Sequence, residues 1–120
     1  MATYNKVVLS GSTQGRPIKV VATATTGTTI HSTGTSSSII DEIWLYATNT
    51  TTSDVLVTVE YGGTTNPDDR IMITVPARSG LFMLTPGLIL TGTGSAANVL
   101  RIFAATANVI NIVGYVNRIS

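Results

Sequence analysis

The stretch Asp41-Glu42-Ile43-Trp44-Leu45-Tyr46-Ala47-Thr48 is followed, after Asn49-Thr50-Thr51-Thr52-Ser53, by Asp54-Val55-Leu56-Val57-Thr58-Val59-Glu60-Tyr61. These two runs decide the fold class. Side chains alternate between the faces of a β-strand, and both runs keep that period of two. In the first, Ile43, Leu45 and Ala47 share one face and Trp44 and Tyr46 the other. Apolar residues on both faces predict burial on both sides, within the fold or at an interface. In the second, Val55, Val57, Val59 and Tyr61 face inward and Asp54, Thr58 and Glu60 outward, with Leu56 the exception. Joined by their polar turn, the two runs read as a hairpin.

The same punctuation continues outward. Pro17 to Thr25 alternates with Ile18, Val20, Ala22 and Ala24 on one face. Thr26 to Ser38, rich in Thr, Ser and Gly around His31, reads as a mobile loop or arm. Arg70 to Val75 is a strand, Leu81–Leu84 and Leu88–Leu90 are short apolar pieces split by Pro86-Gly87, and two last strands cover about Val99–Ala104 and Val109–Ile119. In the last, Ile110, Ile112 and Val116 oppose Asn111, Tyr115 and Asn117. The one competing helix, Ala96 to Ala107, runs into the β-branched Val109-Ile110-Asn111-Ile112-Val113, which favours strands. Turn signals every 8–12 residues or so predict an all-β protein, an antiparallel, jelly-roll-like sandwich of about eight strands. A chain of 120 residues makes one domain, 1–120, with residues 1–6 as an extended N-terminal segment.

Composition narrows the chemistry. Thr occurs 21 times and Val and Ile 12 times each, while Cys is absent. No disulfide scaffold, zinc ribbon or thiol nucleophile is possible without Cys. A net charge of +1 is far too small for a nucleic-acid footprint. No apolar leader follows Met1, and the longest uncharged tracts are broken by Thr, Gly and Asn and do not resemble a membrane span. Charged residues make up only 11% and mean hydropathy is +0.35. A free monomer usually keeps its net charge away from zero, so either a Thr/Ser-rich surface carries the solubility or, the favoured reading, much of the surface meets other subunits. Residues 1–69 carry three basic and six acidic groups, and residues 70–120 four basic and none acidic. Separated into patches, such an asymmetry would orient neighbouring subunits.

The motif-like segments dissolve on inspection. Gly92-Thr93-Gly94-Ser95-Ala96-Ala97 fits a dinucleotide fingerprint, but no acidic residue follows Asp69 to hold a ribose. His31 is the only imidazole, and its Thr/Gly surroundings make it a solvated loop residue in place of a metal ligand or catalytic base. Asp68 and Asp69 lack calcium-loop spacing and read as turn formers. Asp41-Glu42 reads as a solvated strand end. Asn49-Thr50-Thr51 fits a glycosylation sequon and reads as a polar turn. The expectation is no enzyme, no cofactor and no metal.

The segments Gly11-Ser12-Thr13-Gln14-Gly15-Arg16-Pro17-Ile18-Lys19-Val20, Asp41 to Asn49 and Ala104 to Ile119 resemble small virion structural proteins of tailed bacteriophages. The similarity lies in a Thr-rich, Cys-free, all-β texture over nearly the whole chain. Among such proteins are the capsid decoration, or cement, proteins. The resemblance implies a homotrimer, made in the host cytoplasm, that sits on the capsid exterior and bridges major capsid protein subunits. It supplies no catalytic residues, and related proteins serve in the tail, neck and fibres. The candidate interface residues are Tyr4, Val7 and Val8 at the N-terminus, His31 in the Thr26–Ser38 loop, and Trp44 and Tyr46. A different class, a carbohydrate-binding or adhesion module, would use Trp44 and Tyr46 as a stacking platform.

Overall fold

The computed structural model describes residues 2–120, and Met1 of the N-terminal segment lies outside the described residues. The protein is an all-β sandwich of two antiparallel sheets. Nine strands occur among the described residues: β1 (Tyr4–Val8), β2 (Ile18–Lys19), β3 (Thr28–Ser32), β4 (Ile40–Asn49), β5 (Val55–Tyr61), β6 (Arg70–Val75), β7 (Phe82–Thr91), β8 (Val99–Ala104) and β9 (Ile110–Ile119). Sheet A has the order β1-β9-β4-β7, with β2 also pairing to β9; sheet B has the order β3-β8-β5-β6. Among the described residues no helix is long and apolar enough to cross a membrane.

The inward faces close as their alternation predicts. Ile43, Leu45 and Ala47 of β4 and Ile110, Ile112 and Val116 of β9 are buried against Val57 and Val59 of β5 and Leu100 and Ile102 of β8. Burial of each such side chain contributes about 1.5–3 kcal/mol. Gly114 lies opposite Leu45 in the β4–β9 register. A Cβ there would run into the Trp44 carbonyl oxygen, so glycine lets the two backbones close up.

Several expectations change. The β4 and β5 runs do not form a hairpin: β4 lies in sheet A and β5 in sheet B. Asn49 makes the crossing, its side-chain amide donating to the Ser53 and Val75 carbonyls at 2.8 and 3.1 Å while its oxygen accepts from Thr51 N. The sequon asparagine is therefore buried. The two short apolar pieces belong to one strand, β7 (Phe82–Thr91), because register shifts in the β4–β7 pair carry it past Pro86-Gly87. Thr85 fills that irregularity, accepting from Leu45 N and donating to the Ile43 carbonyl. The Thr26–Ser38 segment is not wholly a loop or arm, since β3 lies inside it and pairs with β8. Residues 4–6 likewise belong to β1 and do not extend away from the fold.

The β3 bulge explains the largest misreading. The register slips between Thr29 and His31, and an extra residue in a strand re-aims its neighbours. Both Ile30 and His31 are buried as a result, breaking the alternation that would have marked a strand. His31 is thus fully enclosed and is no exposed interface residue. Its Nδ1 accepts the Ser10 backbone N–H at 3.0 Å, so the ring proton sits on Nε2 and is donated to Asp41 Oδ2 at 2.8 Å. Arg118 donates from Nε and from its terminal nitrogen to the two Asp41 oxygens at 2.7 and 2.9 Å. Asp41 is buried, not a solvated strand end. The cluster joins sheet B, through His31, to β4 and β9 of sheet A.

Burial alone would raise the Asp41 pKa, but the hydrogen bonds from Arg118 and His31 and the charge of Arg118 hold it below its ordinary 3.8. A carboxyl lowered on folding stabilises the protein fully above its unfolded value, and that contribution is lost as pH falls through the lowered folded value. Asp41→Ala should therefore cost about 2–3 kcal/mol near neutral pH, below the full value for a buried pair because the Arg118 side chain is 32% exposed. Urea unfolding at pH 7 and at pH 3 should show the gap between wild type and variant narrowing in acid.

Candidate functional site

Register places one set of side chains on the outer face of sheet A. Trp44 on β4 lies opposite Tyr115 on β9 and Pro86 on β7, and Tyr115 lies opposite Val8 on β1. One step along the strands, Tyr46 lies between Val113 and Met83. Two steps the other way, Ile40 and Tyr4 flank Ile119. Three cross-strand rows are therefore apolar or aromatic. The row between the first and last of these is polar on three strands, with Asn117 flanked by Lys6 on β1 and Glu42 on β4, and ends on the exposed Ile89 of β7.

These side chains remain in solvent. Tyr4 is 65%, Val8 51% and Met83 47% exposed, while Trp44, Tyr46 and Tyr115 are half-buried. Strand spacing and rise give the face an area of about 600 Å² in projection. Contiguous apolar patches of more than a few hundred Å² on a single chain mark interaction sites.

The aromatic centre is positioned from several sides. The Trp44 and Tyr115 rings are nearly parallel, 10° apart with centroids separated by 6.3 Å. Trp44 Nε1 donates to Glu42 Oε1 at 2.8 Å, which fixes the indole along its own strand. Lys6 Nζ stands 5.5 Å from the Tyr115 ring centroid, within cation–π range. Gly87 has φ +78° and lies against the indole, where a Cβ would come within 2.8 Å of the ring. The β7 irregularity therefore seats Trp44.

The structure thus gathers four of the candidate residues, Tyr4, Val8, Trp44 and Tyr46, on one face. Val7 turns inward and packs against the core, and His31 belongs to the buried Asp41 cluster. Tyr115 was missed as the partner of Trp44, although its outward orientation on the last strand was legible. No cavity opens among the described residues. The His31–Asp41 pair has no hydroxyl nucleophile, because Ser10 meets the ring with its backbone N–H and its Oγ accepts from Ser32 N.

The remaining acidic groups are held separately. Glu60 is buried and accepts from Gly27 N at 2.7 Å and Thr25 Oγ1 at 2.8 Å, not outward in solvent as its alternation suggests. Asp69 accepts from Thr65 N within its own turn. Among the described residues no three His, Cys, Asp or Glu side chains gather closely enough to hold a metal ion. Tyr61, whose hydroxyl has no partner among the described residues, is pushed up to about 12 by burial.

The charge asymmetry between the halves of the chain is spent partly inside the fold. Asp41 meets Arg118, and Glu60 lies opposite both Arg70 and Arg101 in register. No protein family, curated protein or solved structure matches the chain.

Gly87→Ala should displace the indole and strain a positive-φ position, at a cost of about 1–2 kcal/mol. The expected signature is a shifted Trp44 emission maximum in the folded variant. An unchanged spectrum would show that the ring does not depend on Gly87.

Proposed function

We propose that the protein is a non-enzymatic structural subunit that binds other protein through the outer face of sheet A. Its role is of the capsid-decorating kind that its sequence resembles: it stabilises a phage capsid from the outside by bridging major capsid protein subunits. The observation that carries the reading is the set of apolar rows centred on Trp44 and Tyr115. Their rings supply large, stiff contact area of the sort that dominates protein interfaces. The sole imidazole supports the non-enzymatic part, since His31 is buried with both ring nitrogens committed to holding the two sheets. The strand order, with β1 and β2 sharing one edge position beside β9, supports a jelly-roll-like reading of the sandwich.

A second reading is favoured by one observation. Parallel aromatic rings on a flat sheet can also stack on a sugar, and the pair for that task is Trp44 with Tyr115 in place of Tyr46. Glycan titration followed by indole emission separates the two readings.

Cosedimentation with undecorated capsid shells tests the proposal. Wild-type protein should pellet with the shells, and Trp44→Ala and Tyr115→Ala should each weaken binding by about thirtyfold, equivalent to losing a 2 kcal/mol hot spot. Undiminished binding by both variants would remove this face from the attachment surface. An emission shift with glycans and no shell binding would replace the structural reading with the carbohydrate one.

A further inference from the structure

We infer that the partner on the outer face of sheet A is a second copy of this chain, related by a two-fold axis that runs along β9. The inference rests on the reading of that face as an interface: in the free protein a second copy covers it, and that copy must leave before the face meets a capsid. The resemblance to decoration proteins implies threefold association, whereas the layout of this face fits a twofold.

Charge placement carries the argument. Lys6 and Glu42 stand in one row, one strand to either side of Asn117 on β9. Neither makes an ion pair among the described residues, where Asp41 is the only carboxylate so engaged. A rotation of 180° about an axis along β9 turns the face over and exchanges the positions of β1 and β4. Lys6 of one copy then meets Glu42 of the other, and the contact occurs twice. Self-complementarity of this kind defines a two-fold interface, in which each contact is made reciprocally.

The same operation matches the neighbouring row. Val8 of one copy faces Trp44 of the other, and Tyr115 meets its own equivalent at the axis. Apolar side chains thus meet apolar ones, Lys6 and Glu42 meet each other, and Lys19, in the row of Asn111 and Thr48, meets the uncharged Thr48. An axis placed along β4 would instead set Glu42 against its own equivalent, which costs free energy through like-charge repulsion. Two sheets packed face to face with their strands nearly aligned are also a common arrangement. With the axis along β9 only β1, β9 and β4 overlay their counterparts and β7 meets nothing, so each copy contributes about 400 Å² in projection, below the 1,200 Å² or so buried in total by standard specific interfaces. A weak, concentration-dependent dimer is expected, not an obligate one.

Sedimentation equilibrium over about 1–500 µM, the range suited to so small an interface, should show wild-type protein passing from monomer to dimer. Lys6→Glu and Glu42→Lys should each weaken association at least about tenfold, because each places like charges together twice. An equimolar mixture of the two variants should recover association to near the wild-type level, since both cross-contacts in the mixed pair are again opposite in sign. Unchanged thermal midpoints confirm that the variants are folded. A wild-type monomer at the highest concentration, a trimer, or a mixture no stronger than its components would each overturn the two-fold assignment. Shell cosedimentation is read separately: a monomer that binds shells through Trp44 sinks the dimer alone, and a dimer that ignores shells sinks the capsid role alone.

Discussion

The Asp41 carboxylate is the constraint around which the sandwich is arranged. Taking a carboxylate out of water costs several kcal/mol unless its oxygens are paired and hydrogen-bonded. Here His31 and Arg118 between them meet both oxygens. His31 can donate from Nε2 only because the Ser10 amide occupies Nδ1, so the chain leaving β1 is tied into the same cluster. Strands β3, β4 and β9 must therefore meet at one end in a single register. A slip of one residue in any of them would bury an unpaired charge, which makes the cluster a device for specificity as much as for stability.

This constraint also separates what could be read in the sequence from what could not. The central strands were legible because Ile43 to Ala47, Val55 to Val59 and Ile110 to Val116 keep strict alternation and β-branched character. The sheet assignment of β4 and β5 was not, because nothing in Asn49 to Ser53 distinguishes a hairpin turn from a sheet crossing. That difference lies in the bonds from Asn49 to Ser53 and to Val75, the latter 26 residues away. Strand β3 was hidden by its polar composition and its bulge. His31 looked solvated because it sits among Thr, Ser and Gly, and Asp41 because it stands beside Glu42 at the start of its strand; their partner Arg118 is remote in sequence. On the site, the outward placement of Trp44, Tyr46 and Tyr115 was readable, but the pairing of Trp44 with Tyr115 follows from a β4–β9 register that only the fold reveals.

The sparse charge acquires a physical meaning in this setting. Of the few ionic groups available, Asp41 and Arg118 are consumed in tying the sheets, and Glu60 is buried under the segment that contains Thr25 and Gly27. The outer face of sheet A is left with Lys6 and Glu42 between apolar rows, and with Lys19 in the row of Asn111 and Thr48. In the proposed contact Lys6 and Glu42 act on register, since an alignment that juxtaposes like charges is penalised.

The edges of sheet A fit the proposed contact being made through the face and not by extending the sheet. An open edge strand invites pairing with another chain unless it is interrupted. Strand β7 is such an edge, and it carries Pro86, which has no N–H to offer, together with Gly87 at positive φ and two shifts of register. The opposite edge is divided between the five residues of β1 and the two of β2. Neither edge presents the long, regular ladder that strand addition needs. The irregularity that spoils β7 as an edge also places Gly87 against the Trp44 indole, so one local distortion both discourages edge pairing and shapes the aromatic centre of the face.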